Sequence, residues 1–233
     1  MNANIAARRE APRSPAAGAR ALRYEPRRLE AGQAVNVYVW TDYVCPFCLL
    51  GEGAVKQAVA GLHARLIWMP FELRPFPEPT LRPEDDYLTR TWAASVYPAA
   101  QRLGVPIRLP TISPQPYTRT AFIGMQYARD EGLANAYTEA VLRAFFQRNL
   151  DVGDVAVLKR IASEVGLDAT ALEVALSSPA YARRHDDELS LAHRIGIQAV
   201  PTTLIGKRLV QGMGTDVEGL KDAILTADVN LLN

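Results

Sequence analysis

The stretch Thr41–Gly53, TDYVCPFCLLGEG, holds both cysteines of a 233-residue chain, with only Pro46 and Phe47 between them. Just before it, AVNVYVW (34–40) is a β-branched and aromatic run, short enough to be a strand covered on both faces. Just after it, LLGEGAVKQAVAGLH places Leu50, Ala54, Ala58 and Leu62 at helical spacing, with Gly61 close to the expected end. ARLIWMPFEL (64–73) then reads as a second strand, and Pro70 and Pro75 end its regular pairing. The order strand, CPFC turn, helix, strand predicts a right-handed parallel crossover, so the fold class is α/β.

A cysteine at the opening of a helix faces unpaired backbone N–H groups and the positive end of the dipole, which favour thiolate over thiol. Pro46 suits the first helical turn because the N–H it lacks has no partner there anyway. Cys45 is therefore the expected outer nucleophile, and Cys48, about one turn on, the deeper resolving thiol. Cys45 can attack a disulfide in another molecule, and Cys48 can then displace the product by closing the bridge; the cycle also runs backwards. Phe47 places no positive charge beside the thiolate, so the pair is expected to oxidise less strongly than a CPHC site. Two alternatives remain: a zinc site, or an inert pair of buried thiols. Zinc needs two further ligands, and His63, His185 and His193 stand at no familiar spacing from the cysteines, so no metal is expected.

Beyond the second strand, from about residue 84 to 195, the period changes to that of helices. Tyr137, Ala140, Val141, Ala144 and Phe145 form one stripe, and Leu158, Ile161, Ala162 and Val165 another. Asp154 and Asp168 read as N-caps and Gly166 as a residue just past a helix end; Leu172, Ala175 and Leu176 give the next inner face. The β signal returns in AVPTTLIGKRLVQG (199–212), where Thr202–Ile205 and Arg208–Gln211 pair over Gly206 and Lys207, followed by an amphipathic helix in TDVEGLKDAIL. One sheet built from both β segments requires the helices between them to be an insertion. The expected divisions are 1–34, a flexible Arg-rich arm; 35–83, the first βαβ part; 84–195, the helical insertion; and 196–233, the ββα part.

Val200-Pro201 at the start of the second β segment has two readings. The ordinary one is proline's tolerance for a strand's first position. The sharper one is a cis bond that sets Pro201 against the CPFC turn, shielding the thiols from metal, while the free backbone of Val200 pairs with an extended substrate; Pro46, Phe47, Val200 and Thr202 are the candidate substrate-binding residues.

These residues resemble the thioredoxin superfamily, within it the DsbA-like branch and more narrowly the FrnE-like dithiol-disulfide oxidoreductases. The resemblance rests on YVWTDYVCPFCLLG, WMPFELRP (68–75), TRTAFIGMQYARDEG (118–132) and GIQAVPTTLIGKRLVQG (196–212), and spans roughly 35–227. It implies a thioredoxin-like fold split by a helical insertion, with Cys45 as nucleophile, Cys48 as resolving thiol and Pro201 as the cis-proline. The implied partners are thiol- or disulfide-containing proteins and peptides, with no bound cofactor and with glutathione as an optional co-substrate. Met213 and Gly214 depart from the family's usual GAQ at the end of the second β segment. A neighbouring branch, the 2-hydroxychromene-2-carboxylate isomerases and kappa-class glutathione transferases, shares the architecture but usually has Ser at the first Cys. It supplies the alternative function, a glutathione-dependent isomerase or transferase of small aromatic compounds.

A net charge of +1 provides no global field to collect nucleic acid or anionic lipid, and no apolar run reaches the roughly 18 residues of a membrane span. The first 34 residues carry seven arginines against three acids but no continuous apolar core of a secretory signal, and two cysteines alone fit a reducing compartment. The expected location is therefore cytoplasmic, as a monomer or homodimer. Trp40, Trp68 and Phe71 are expected in the core, and Glu72 is expected to be a solvated strand-end carboxylate or else a cleft-facing group that assists Cys48. His185 and His193 are read as ordinary surface or satisfied residues, and Arg119 as a possible lining of the groove between the subdomains.

Overall fold

The computed structural model describes residues 22–213 and 216–232. Strand β1 (Tyr24–Arg28) precedes β2 (Val35–Thr41), helix α1 (Pro46–Val59) and β3 (Ala64–Pro70). Helices α2 (Asp86–Thr91), α3 (Tyr97–Leu103), α4 (Arg119–Asp130), α5 (Ala134–Phe146), α6 (Val155–Glu164), α7 (Ala169–Leu176) and α8 (Pro179–Arg194) follow. The chain closes with β4 (Thr202–Ile205), β5 (Arg208–Gln211), α9 (Val217–Leu225) and β6 (Val229–Leu232). Seven helices thus lie between the two β segments, as the change of period implies.

The main sheet has the order β3-β2-β4-β5, parallel between β2 and β3 and antiparallel elsewhere. Strand β2 is central and buried on both sides because its two faces serve two cores. Val35, Val37 and Val39 join the large core with α1 and the helices, whereas Tyr38 and Trp40 pack with Met69, Phe71, Leu191 and Leu204 on the other face. The hairpin β4–β5 has the expected limits, and Gly206, at φ 55°, supplies the left-handed turn residue.

Local signals set most helix ends. The Asp154 side chain accepts from the Ala156 N–H, and Asp168 accepts from Thr170 and Ala171, each satisfying donors that the first turn leaves without helical partners. Between α2 and α3 the helix widens into a π turn (Trp92–Val96), where Pro98 removes an N–H from the regular ladder. Helix α1 is shorter than its apolar spacing implies: it stops at Val59, Gly61 turns left-handed at φ 75°, and Leu62 lies beyond the helix.

The reading of residues 1–34 as a flexible arm is corrected in part. Tyr24–Arg28 is a strand, paired antiparallel with β6. Pro26 hides it in the sequence, yet the register shifts between Tyr24 and Arg27, and a bulge on an edge strand is where proline is tolerated. The four arginines Arg8, Arg9, Arg13 and Arg20, and every reading of a leader, lie outside the described residues. Strand β6 is fixed to the main sheet by side chains: Asn230 accepts from the Asn36 N–H at 2.8 Å, and the Tyr38 hydroxyl donates to the Leu232 carbonyl at 2.5 Å. No described helix is long and apolar enough to cross a membrane.

Gly51 has a specific packing role. A Cβ there would stand 2.7 Å from the Met213 carbonyl oxygen, so the backbone after β5 closes directly onto α1. Gly51→Ala gains helix propensity but overpacks this contact. We expect a net loss of about 1–3 kcal/mol, read by urea denaturation.

Candidate active site

The thiol site begins where β2 ends. Thr41 accepts the Phe71 N–H, Asp42 accepts the Cys45 N–H at 3.1 Å, and Cys45 accepts the Cys48 N–H at 3.0 Å, so the loop turns tightly into α1. Tyr43 anchors this turn from the other side, stacked on Phe122 at 4.3 Å with its hydroxyl 3.3 Å from Thr138. Cys45 occupies the N-cap position of α1, with Pro46 in the first turn. Both cysteines are free thiols.

Cys45 is 6% exposed and Cys48 1%, so the expected order of depth holds, although the outer thiol is itself largely covered. The Cys45 thiol donates to the Val200 carbonyl at 3.5 Å across the Val200-Pro201 bond, which is cis. Pro201 is buried, and Pro46, Phe47 and Val200 are half-buried around Cys45. Thr202 is fully buried, and its hydroxyl donates to the Ala199 carbonyl at 2.7 Å.

Burial pushes the Cys48 thiol well above its ordinary value, and contact with Cys45 pushes it further; the Thr41 hydroxyl and the Asp42 N–H, 3.5 Å from Sγ, act in the opposite direction. A resolving thiol in that state must lose its proton to become a nucleophile. The same loop holds a buried carboxyl that the sequence reading did not single out, on Asp42, whose backbone N–H faces the Cys48 sulfur. Asp42 is buried, and burial raises its carboxyl from 3.8 to about 6, against the lowering effect of the Leu73 N–H, which donates to Oδ2 at 2.8 Å. Nearby Glu72 raises it further, while Thr118 and Val44 lower it. Asp42 Oδ1 has no hydrogen-bond partner among the described residues, and Asp42 lines a cavity of about 50 Å³ together with Arg74, Thr80, Gln115 and Thr118. That volume holds a water molecule or two, enough for proton exchange with solvent.

Glu72 is neither solvated nor in contact with Cys48. Its Oε1 accepts from His185 Nε2 at 2.7 Å, with both side chains buried, so His185 is a core residue and not a surface one. His193 is exposed and lies beside Phe71. Arg119 forms a two-pronged pair with Asp186 at the surface. Trp40, Trp68 and Phe71 are in the core as expected. Among the described residues, no group of three or more His, Cys, Asp or Glu is arranged to hold a metal ion.

Comparison with known proteins places this geometry. The DSBA-like thioredoxin domain family matches residues 36–225. The uncharacterized protein YwbO of Bacillus subtilis is 40% identical over 186 residues, covering 78% of this chain and 93% of that one. Among solved structures, the probable DsbA oxidoreductase SCO1869 of Streptomyces coelicolor superposes with a TM-score of 0.65 at 23% identity, over 82% of this chain and 88% of that one. A 2-hydroxychromene-2-carboxylate isomerase gives 0.66 at 20% identity, over 81% and 93%. The cytosolic disulfide reductase DsbM of Pseudomonas aeruginosa, solved with glutathione, gives 0.61 at 19% identity, over 82% and 98%. At these identities the structural matches establish the DsbA-like thioredoxin fold and nothing finer.

Proposed function

The chain belongs to the DSBA-like thioredoxin domain family, and from that premise we propose that it exchanges dithiols and disulfides with protein or peptide substrates through Cys45 and Cys48. The observation that carries this reading is the meeting of the two thiols at the start of α1, the outer one at the N-cap and the inner one beside the Asp42 backbone.

The chemistry follows from the positions. Cys45, as thiolate, attacks one sulfur of a substrate disulfide; a mixed disulfide forms and the other substrate sulfur leaves as thiolate. Cys48 loses its proton to solvent water and attacks the Cys45 sulfur. The Cys45–Cys48 bond forms, the bond from Cys45 to substrate breaks, and the second substrate thiolate departs. The protein pair is oxidised by two electrons and the substrate disulfide is reduced by two. In the other direction each step reverses. Cys45 stands at the N-cap of α1, the positive end of the helix dipole, although its sulfur takes no first-turn N–H and instead faces the Val200 carbonyl.

Pro46, Phe47 and Val200 form the half-buried surround in which an extended substrate segment would lie. The FrnE-like branch is our narrower reading, resting on CPFC and WMPFELRP, with glutathione as an optional co-substrate and the reducing cytoplasm as the setting. Retention of both cysteines favours thiol exchange over the isomerase chemistry of the neighbouring branch.

An insulin-reduction assay with dithiothreitol tests the proposal. The wild-type protein accelerates precipitation of the insulin B chain, and Cys45→Ser returns the rate to that of dithiothreitol alone. Equal acceleration by the variant would remove the proposal. Saturable glutathione binding by calorimetry, together with isomerase activity that survives Cys48→Ser, would favour the neighbouring branch instead.

A further inference from the structure

The end of β2 lies against the inner thiol. Thr41, its last residue, stands opposite Pro70 of β3, and the Thr41 carbonyl accepts the Phe71 N–H at 3.0 Å, so its backbone is held by the sheet. The next residue, Asp42, gives its N–H to Cys48 Sγ at 3.5 Å, and its carbonyl accepts the Cys45 N–H at 3.1 Å. Thr41 is 0% exposed and Cys48 1%, so hydroxyl and sulfur are enclosed together. The Thr41 hydroxyl is the side-chain donor that acts on the Cys48 thiol. Yet it completes no hydrogen bond with that or any other group among the described residues.

A buried hydroxyl without a full partner is costly, and valine has the same shape without that cost. The two states of the sulfur give the oxygen a use. A neutral thiol is a weak acceptor and offers the hydroxyl little to bond. A sulfur anion is a strong acceptor, and a hydroxyl hydrogen turns toward it by rotation about the C–O bond, with no movement of the backbone. Burial opposes that anion, and donors directed at it offset the opposition. The Asp42 N–H is one such donor, fixed in place by the loop.

We propose that the Thr41 hydroxyl is the second donor to the Cys48 sulfur, completing its hydrogen bond as that sulfur becomes an anion and attacks Cys45, and that it thereby speeds the resolving step. The inference rests on the thiol-exchange reading above. In that step Cys48 loses its proton to solvent water, its sulfur bonds to the Cys45 sulfur, and the substrate leaves Cys45 as thiolate. Cys45 is the titratable group in contact with Cys48, and it carries no charge while it is bonded to substrate. The neighbouring groups are otherwise engaged. The Asp42 carboxyl accepts the Leu73 N–H, the Tyr43 hydroxyl lies against Thr138, and Glu52, one turn further along α1, is held by Lys56 and Arg143.

The test isolates the step in which Cys48 attacks. Reduced protein mixed rapidly with a stoichiometric amount of dithiobis(nitrobenzoate) forms a Cys45–thionitrobenzoate disulfide. Cys48 then closes the bridge and releases thionitrobenzoate, and the closure rate is followed against pH. Thr41→Val keeps the shape and removes the donor. Its closure near pH 7 is expected to be about three- to tenfold slower, since a lost bond to a charged group is partly offset by the greater nucleophilicity of a more basic thiolate. The same rate should then require a pH higher by roughly half to one unit. Thr41→Ser keeps the hydroxyl and should close within about twofold of the wild type. Urea denaturation separates this role from a structural one: Thr41→Val should be no less stable than the wild type, because it removes a buried hydroxyl without a full partner. If Thr41→Val does not fold, Thr41→Ala is compared with Thr41→Ser, which differs from it by the hydroxyl alone. A closure profile unchanged in Thr41→Val, or slowed equally in Thr41→Ser, overturns the inference and leaves the proposed function standing. Absence of closure in the wild-type protein removes the proposed function and this inference together.

Discussion

Cys48→Ser yields a protein that captures disulfide substrates and fails to release them. Cys45 still attacks, but no neighbouring thiol displaces the product, so the mixed disulfide must wait for a thiol from solution. Well-oriented intramolecular reactions reach effective concentrations of about 10⁵ M or more, far above any external thiol. Release should consequently slow by at least about a hundredfold, and a covalent adduct should survive non-reducing electrophoresis. Its disappearance with dithiothreitol, and its absence from Cys45→Ser, would identify Cys45 as the attachment point. The structure gives the reason for this division of labour: Cys48 is the deeper thiol and its sulfur faces the Asp42 N–H, whereas Cys45 is at the N-cap beside the half-buried Pro46, Phe47 and Val200.

Asp42→Asn should make the protein more stable at neutral pH. The Asp42 carboxyl holds its proton more tightly in the folded state, at about 6, than an ordinary carboxyl at 3.8. Folding stability linked to this group is therefore fully present below about pH 4 and is lost as pH rises to about 6. The loss corresponds to about 3 kcal/mol at most, from an ionised group held out of water. Asparagine carries no such charge. The variant should match the wild type in urea denaturation near pH 4 and exceed it near pH 7 by up to that amount. A stability difference that does not change between those two pH values would argue against a buried, titrating Asp42.

What the sequence discloses is whatever is decided locally. Valines alternating with Tyr38 and Trp40 announce a two-faced strand, Pro46 marks a helix start, and Asp154 and Asp168 are caps because donors lie two or three residues away. The hairpin over Gly206 is legible because a left-handed turn residue between two short β runs has few other uses. The two cysteines are likewise read from their own neighbours. What escapes such reading is set by distant backbone or by a partner far along the chain. Asp42 looks like an ordinary loop residue until the Leu73 N–H, 31 residues later, is found holding its carboxylate inside the protein. Glu72 and His185 are each commonplace alone, and only the docking of α8 against the end of β3 makes them a buried pair. Strand β1 contradicts its own composition, because its pairing is determined by β6 at the other end of the chain. Met213 departs from the expected family pattern, yet its carbonyl is what Gly51 makes room for.

The central claim is that Cys45 and Cys48 work as one exchangeable dithiol, and equilibration of the protein in glutathione buffers of graded potential tests it most directly. The account predicts a single two-electron transition between free dithiol and Cys45–Cys48 disulfide, seen by mass as the loss of both thiol hydrogens and abolished in either serine variant. Stable glutathione adducts on the separate cysteines with no bridge at any potential, or two thiols that never oxidise, would contradict it.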